Sequence, residues 1–159
     1  MKKVIIILAL LAVAFAGFSD DCLYSHNQAR SVLGLPKMTY SSKLASTALK
    51  YAKVLAGTNH LKHSSGRNNI GENLAMGTKG SYDTERLISL WTKEKKNYIP
   101  AKKFPNVSRT GNWKDVAHYT QIVWRNTKQV GCGTATNSKN IIIVCHYSGA
   151  GNWVGSYPY

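Results

Sequence analysis

Two cysteines placed symmetrically about a short polar turn constrain this chain more than any other feature. GCGTAT (131–136) and IIIVCHY (141–147) read as strands, and Asn137, Ser138, Lys139 and Asn140 between them carry turn chemistry. Cys132 stands five residues before Asn137 and Cys145 five after Asn140, so a hairpin brings the two side chains close across the turn. In an oxidising compartment that proximity predicts a Cys132–Cys145 disulfide. Cys22 is left over, near the start of the chain, and is free, intermolecular or disordered on this reading.

The first residues supply a route to such a compartment. Lys2 and Lys3 precede an apolar run over 4–15, and Ala14-Phe15-Ala16 is a small-x-small cleavage signal. This is the pattern of a secretory signal peptide over 1–16, leaving one domain over 17–159. The run is too short to span a bilayer comfortably and no second apolar segment is long enough, so the chain is not expected to be an integral membrane protein. It is expected to be secreted and extracellular.

Without Lys2 and Lys3 the formal charge falls from +14 to +12. Such an excess favours anionic surfaces. The lysines are scattered, with Lys95-Lys96 and Lys102-Lys103 as the only doublets after the signal, and there is neither zinc-finger spacing nor a Gly-rich phosphate loop. Nucleic acid is therefore not an expected partner. Asn106-Val107-Ser108 is a glycosylation sequon, meaningful in a eukaryotic source.

Periodicity gives the order of elements. A short helix is expected over 24–33, stopped by Gly34 and Pro36, and a second, capped by Ser42, runs to about residue 56 with Gly57 after it. Leu44, Ala45, Ala48, Leu49, Ala52 and Leu55 make one apolar stripe on it. IGENLAM (70–76) reads as a strand, 83–98 as a third helix, and HYTQIVW (118–124) as a strand opening with a histidine. Helices first and an antiparallel sheet mostly later define an α+β class.

Two acidic residues break the pattern of their elements. Ile70, Glu72, Leu74 and Met76 share one strand face, and Leu87, Trp91, Glu94 and Tyr98 share one helix stripe. A carboxylate on an apolar row needs a partner or must shift its pKa. With His118 on its own apolar row, they suggest one polar pocket between helix and sheet, and His63, in the loop before the Glu72 strand, is its natural fourth member. His60 would complete a His-x-x-His pair only in a helix, which Ser64-Ser65-Gly66 argues against. His26 and His146 are expected to be surface or structural residues.

LKHSS, IGENLA, HYTQIVW followed by GCG, and VCHYSGAGN together resemble the CAP superfamily of cysteine-rich secretory proteins, antigen 5 and pathogenesis-related class 1 proteins, over about residues 25–159. The resemblance implies an α–β–α sandwich with a central antiparallel sheet, and a cleft lined by His63, Glu72, Glu94 and His118. It also supports the Cys132–Cys145 pairing. It implies a zinc or other divalent cation held weakly by His63 and His118, with Glu72 and Glu94 behind them or serving as acid and base in a catalytic member. Ala117 and Gly149 depart from the family pattern, where Gly or an acidic residue and a proline are usual.

Function on this reading is a lipid- or sterol-binding module or an extracellular interaction and defence module. Sterol or fatty acid would occupy an aromatic groove near Tyr98, Phe104 and Trp113; a receptor or anionic surface would be the partner otherwise. A metal-dependent hydrolase ranks behind these, with no Gly-x-Ser-x-Gly elbow in the sequence and no triad implied by Ser64 standing next to His63. A precursor of a C-terminal signalling peptide, from the tail CHYSGAGNWVGSYPY, is a further alternative.

Overall fold

The computed structural model describes the backbone of residues 2–159 and the side chains of residues 17–159. The expected signal peptide falls on Met1 and on the side chains of 2–16, which lie outside the described residues. Helix α1 covers Lys2–Ser31 as one element, where a short helix from residue 24 was expected. No proline interrupts it, and it ends at Ser31, with the chain turning away through Gly34, whose φ of +64° is open to glycine.

Strand β1 is only Thr39–Tyr40. Helix α2 follows over Ser42–Thr58, capped not by Ser42 but by Ser41, whose hydroxyl accepts from Leu44 N. Gly57 lies inside this helix, and its left-handed C-cap is Asn59, at φ 51°. Strand β2 is Ile70–Thr78. Helix α3 is Thr84–Thr92, capped by Asp83 and tightened into a 3-10 turn over Lys93–Asn97, so the expected third helix has the right extent but two geometries.

The segment HYTQIVW corrects the sequence reading. It is not a strand: a 3-10 turn at Trp113–Val116 leads into helix α4, Ala117–Ile122. Its aromatic and β-branched residues favour strands intrinsically, but its two ends are held by remote side chains. Glu94 Oε2 accepts from the His118 and Tyr119 backbone N–H groups at 3.1 and 3.0 Å, capping the first turn. Buried Arg30 donates through Nη1 to the Ile122 and Trp124 carbonyls at 2.9 and 2.8 Å, closing the last.

Strands β3 (Gln129–Thr136) and β4 (Asn140–Ser148) form the expected hairpin, with Cys132 directly opposite Cys145. Sheet order is β1-β3-β4-β2. Three strands are antiparallel and β1 joins β3 in parallel, so the sheet is mixed rather than wholly antiparallel. Ile142 and Val144 pack with Ala48, Ala52, Leu55 and Leu74 on the α2 side. Ile143, Cys145 and Tyr147 pack with Leu87, Trp91, Tyr119 and Ile122 on the side of α1, α3 and α4. Burial on both faces is why β4 reads as an almost continuous apolar run, and the architecture is an α–β–α sandwich of the α+β class.

The glycines flanking Cys132 let α2 lie against the sheet. A Cβ at Gly131 would strike the backbone of Ser41 and Ala45, and one at Gly133 the backbone of Leu49. Cys22 is ordered and fully buried, and its sulfur lies within disulfide reach of Cys132, which is also within reach of Cys145 directly across the hairpin. A sulfur holds one disulfide partner at a time, so Cys22 and Cys145 compete for Cys132.

Candidate metal centre and cleft

Loop 60–69 folds back over the start of β2 because Glu72 gathers it. Glu72 Oε1 accepts from Ser64 N at 3.0 Å and His63 Nδ1 at 2.7 Å, with Arg67 Nη1 at 3.5 Å. Its Oε2 accepts from Ser64 Oγ at 2.6 Å and from His146 Nε2, directly across the β2–β4 ladder, at 3.1 Å. The side chain has no exposure at all. Burial by itself would raise its pKa, but the hydrogen bonds from His146, His63 and Ser64 outweigh it and hold the carboxyl well below the usual range. An ionised Glu72 accepts, so His63 donates from Nδ1, and in the neutral ring the lone pair is then on Nε2.

Glu94 does the same for the second ring. While Oε2 caps α4, Oε1 sits 2.7 Å from His118 Nδ1. Trp91, whose Nε1 donates to the Leu74 carbonyl at 3.1 Å, stacks on the His118 ring with centroids 5.9 Å apart and planes 20° apart. Asn73 donates to the His118 carbonyl at 3.1 Å, tying α4 to β2. Among the described residues neither His63 Nε2 nor His118 Nε2 has a hydrogen-bond partner.

Both rings line one open cleft of about 610 Å³, with Glu72, Asn73, Gln121, Trp113 and Trp153 among its walls. Glu94 stands behind His118 and is not part of the lining. The expected tetrad is thus two carboxylate–histidine pairs rather than four groups around one point. No three of its donor atoms lie within 4.8 Å of one another; among the described residues only Cys22, Cys132 and Cys145 do. A cation here would have two imidazole nitrogens from the protein and water elsewhere, fewer protein ligands than a structural zinc site uses.

His146 is the site residue that sequence reading passed over. It is buried, with Nδ1 at 2.8 Å from Thr47 Oγ1 and Nε2 on Glu72. Both its nitrogens are engaged, so it positions Glu72 and has nothing to offer a cation. His26 is buried too, between the Cys22 carbonyl and the Tyr147 hydroxyl. His60 is exposed on a non-helical stretch. Ser64 Oγ donates to Glu72 Oε2 at 2.6 Å.

The expected lipid groove is not open at two of its three residues. Tyr98 and Phe104 are 4% and 5% exposed, Tyr98 against Tyr119 and Tyr159, Phe104 against Trp113. Trp113 alone is exposed, and it lines the histidine cleft. Asn106 of the sequon is exposed. Gly149 has φ +81°, a conformation closed to proline, and a Cβ there would meet the Asn126 carbonyl at 2.7 Å. The tail after it is fastened down: Ala150 N donates to Asn69 O at 3.2 Å, and Gly151 N to Gln121 Oε1 at 2.8 Å. No helix among the described residues is long and apolar enough to cross a membrane.

A three-layer sandwich with two carboxylate-oriented histidines on one cleft defines a CAP-type domain. The chain belongs to the cysteine-rich secretory protein family (CAP), whose profile matches residues 23–147. It is 39% identical to pathogenesis-related leaf protein 6 of Solanum lycopersicum over 141 residues, 88% of this chain and 82% of that one. Identity to pathogenesis-related protein 1 of Arabidopsis thaliana is 37% over the same length, 88% and 81% of the two chains. Among solved structures, NaASP2 with Zn2+ superposes at a TM-score of 0.73 with 24% identity, over 89% of this chain and 84% of that one, a likeness of fold. Venom allergen-like protein 4 of Schistosoma mansoni gives 0.68 at 25% identity, over 89% and 93%.

Proposed function

We propose that this is a secreted defence-type interaction module whose cleft binds a divalent cation, zinc or a similar ion, weakly through His63 and His118. The observation that carries the reading is the orientation of the two rings. Each donates Nδ1–H to a carboxylate at 2.7 Å and leaves Nε2 on the cleft, which is how ligating histidines are commonly held. The donor set fits an ion that keeps water, and a bound ion would supply Lewis acidity to anything entering the cleft. Relatives named for pathogenesis support the defence role, and the cleavage pattern at 14–16 supports secretion. Sterol or fatty-acid uptake has less to stand on, because Tyr98 and Phe104 fill the core. Release of a C-terminal peptide would strip away a wall of the cleft, since Ala150, Gly151, Asn152 and Trp153 line it.

Calorimetry with zinc at about pH 7.5 and about pH 5.5 tests this, because ligation needs neutral imidazole. One-to-one binding at the higher pH, weakened at the lower and in both His63→Ala and His118→Ala, is the expected result. Equal heats at both pH values, or unchanged binding in the variants, refutes it.

A further inference from the structure

A second cavity, of about 420 Å³, lies on the other side of Trp153 from the histidine cleft. Its walls are Trp124, Trp153, Tyr157 and Tyr159, with Lys103 and Arg125 at its rim. The cavity is preformed by backbone bonds. Phe104 N donates to Ser156 O at 2.9 Å, Gly155 N to Phe104 O at 2.8 Å, and Arg125 N to Pro158 O at 2.7 Å. Trp153 is fixed by its own Nε1, which donates to the Ala150 carbonyl at 2.7 Å.

We propose that this cavity binds an acidic saccharide, a short chain of sugar units carrying carboxylates. Three observations select that class. Trp153 and Tyr157 are 56% and 53% exposed, so they are open platforms rather than the enclosed lining an apolar ligand needs. The negative face of an aromatic ring favours the polarised C–H face of a sugar ring laid on it, while the sugar's hydroxyl rim stays in water. The two cations lack a carboxylate partner: among the described residues neither Arg125 nor Lys103, whose Nζ lies over one face of the Tyr157 ring at 5.4 Å, has an ion pair with one. No aspartate or glutamate side chain lines the cavity. A uronate can therefore stack on the rings and place its carboxylate on Arg125 or Lys103. The volume lies within the usual small-molecule range of roughly 300–1,000 Å³.

The site shares the Trp153 wall with the histidine cleft, and binding in it needs no cation. The test is calorimetric titration of the full mature chain with trigalacturonate, with maltotriose, citrate and a short oligothymidylate as comparisons, at low salt and with chelator present. Trigalacturonate alone is expected to bind measurably. Trp153→Ala is expected to weaken it about tenfold, and Lys103→Gln with Arg125→Gln by a similar factor that shrinks as salt is raised. These three side chains are exposed, and far-ultraviolet circular dichroism of each variant checks that it folds. Equal binding of maltotriose removes the role of the cations, and equal binding of citrate with no effect of Trp153→Ala reduces the site to general attraction of anions by a basic surface. Tighter binding of the oligothymidylate makes it a nucleotide-stacking site instead. Each of those outcomes, or no binding of trigalacturonate, overturns the proposal.

Discussion

Cys132 has two competing partners, and the choice between them carries a calculable difference in stability. Pairing with Cys145 closes a span of 13 residues, and pairing with Cys22 closes one of 110. In the chain-entropy account a crosslink restricts the unfolded state by an amount growing as (3/2)RT ln n, so the longer loop stabilises by about 2 kcal/mol more. The perturbations are Cys145→Ala, which leaves the Cys22–Cys132 pair, and Cys22→Ala, which leaves Cys132–Cys145. All three sulfurs are essentially buried, so each replacement deletes one buried sulfur and the common cost cancels in the comparison. Alanine rather than serine keeps an unsatisfied hydroxyl out of the core. Non-reducing peptide mapping confirms the single bridge in each variant, and urea unfolding then compares them. Cys145→Ala is expected to be the more stable by about 2 kcal/mol, or about 4–8 °C in melting temperature for a domain of this size. Equal stability, or a more stable Cys22→Ala, refutes the loop-length argument; two free thiols in Cys145→Ala refute the pairing itself.

Burial, offset by the bond to the Cys22 carbonyl and helped by nearby Arg30, lowers the His26 pKa from 6.5 to about 4. The neutral ring is the folded form, so its contribution is complete above about pH 6.5 and is lost as pH falls to about 4, roughly 3 kcal/mol in all; urea midpoints across that window should fall in the wild type and flatten in His26→Gln. Gly131→Ala is expected to cost about 1–3 kcal/mol by overpacking, because the new Cβ meets the backbone of α2 rather than a movable side chain, and a thermal melt reads it. Glu94→Gln can still cap α4 through its amide oxygen, but its amide nitrogen then faces His118 Nδ1, moving the ring proton to Nε2. Zinc affinity measured by calorimetry is expected to drop about 10–100-fold with little change in fold.

The elements legible in the sequence are those whose signal is local. The hairpin announced itself through turn residues and symmetric cysteines, α2 through a continuous apolar stripe, and β2 through an alternation that Glu72 interrupts. Glu72 and Glu94 were readable because a charge on an apolar row demands a partner whatever the fold. Helix α4 was not readable, since its caps come from Glu94 and Arg30, 24 and 92 residues distant from the groups they bond. The same reasoning that found Glu94 applies to α1, where Cys22, His26 and Arg30 recur every four residues and all are fully buried. His146 needed more: its role depends on β2 and β4 being neighbours in a register that places it opposite Glu72.

Each carboxylate serves the fold and the cleft at once. Glu94 caps α4 with one oxygen and turns His118 with the other, and Glu72 joins loop 60–69 to β4 while turning His63. A buried polar cluster needed only for stability would engage every ring nitrogen, because an unsatisfied one loses free energy when water is excluded. That is the condition of His26 and His146, each with both nitrogens bonded inside the core. His63 and His118 differ at one atom each. Their carboxylates face the interior, and their Nε2 lone pairs face a cleft wide enough for a hydrated ion. The structural role accounts for the glutamates, and the two outward-facing nitrogens, on side chains 52% and 31% exposed, are open to water and to a cation alike.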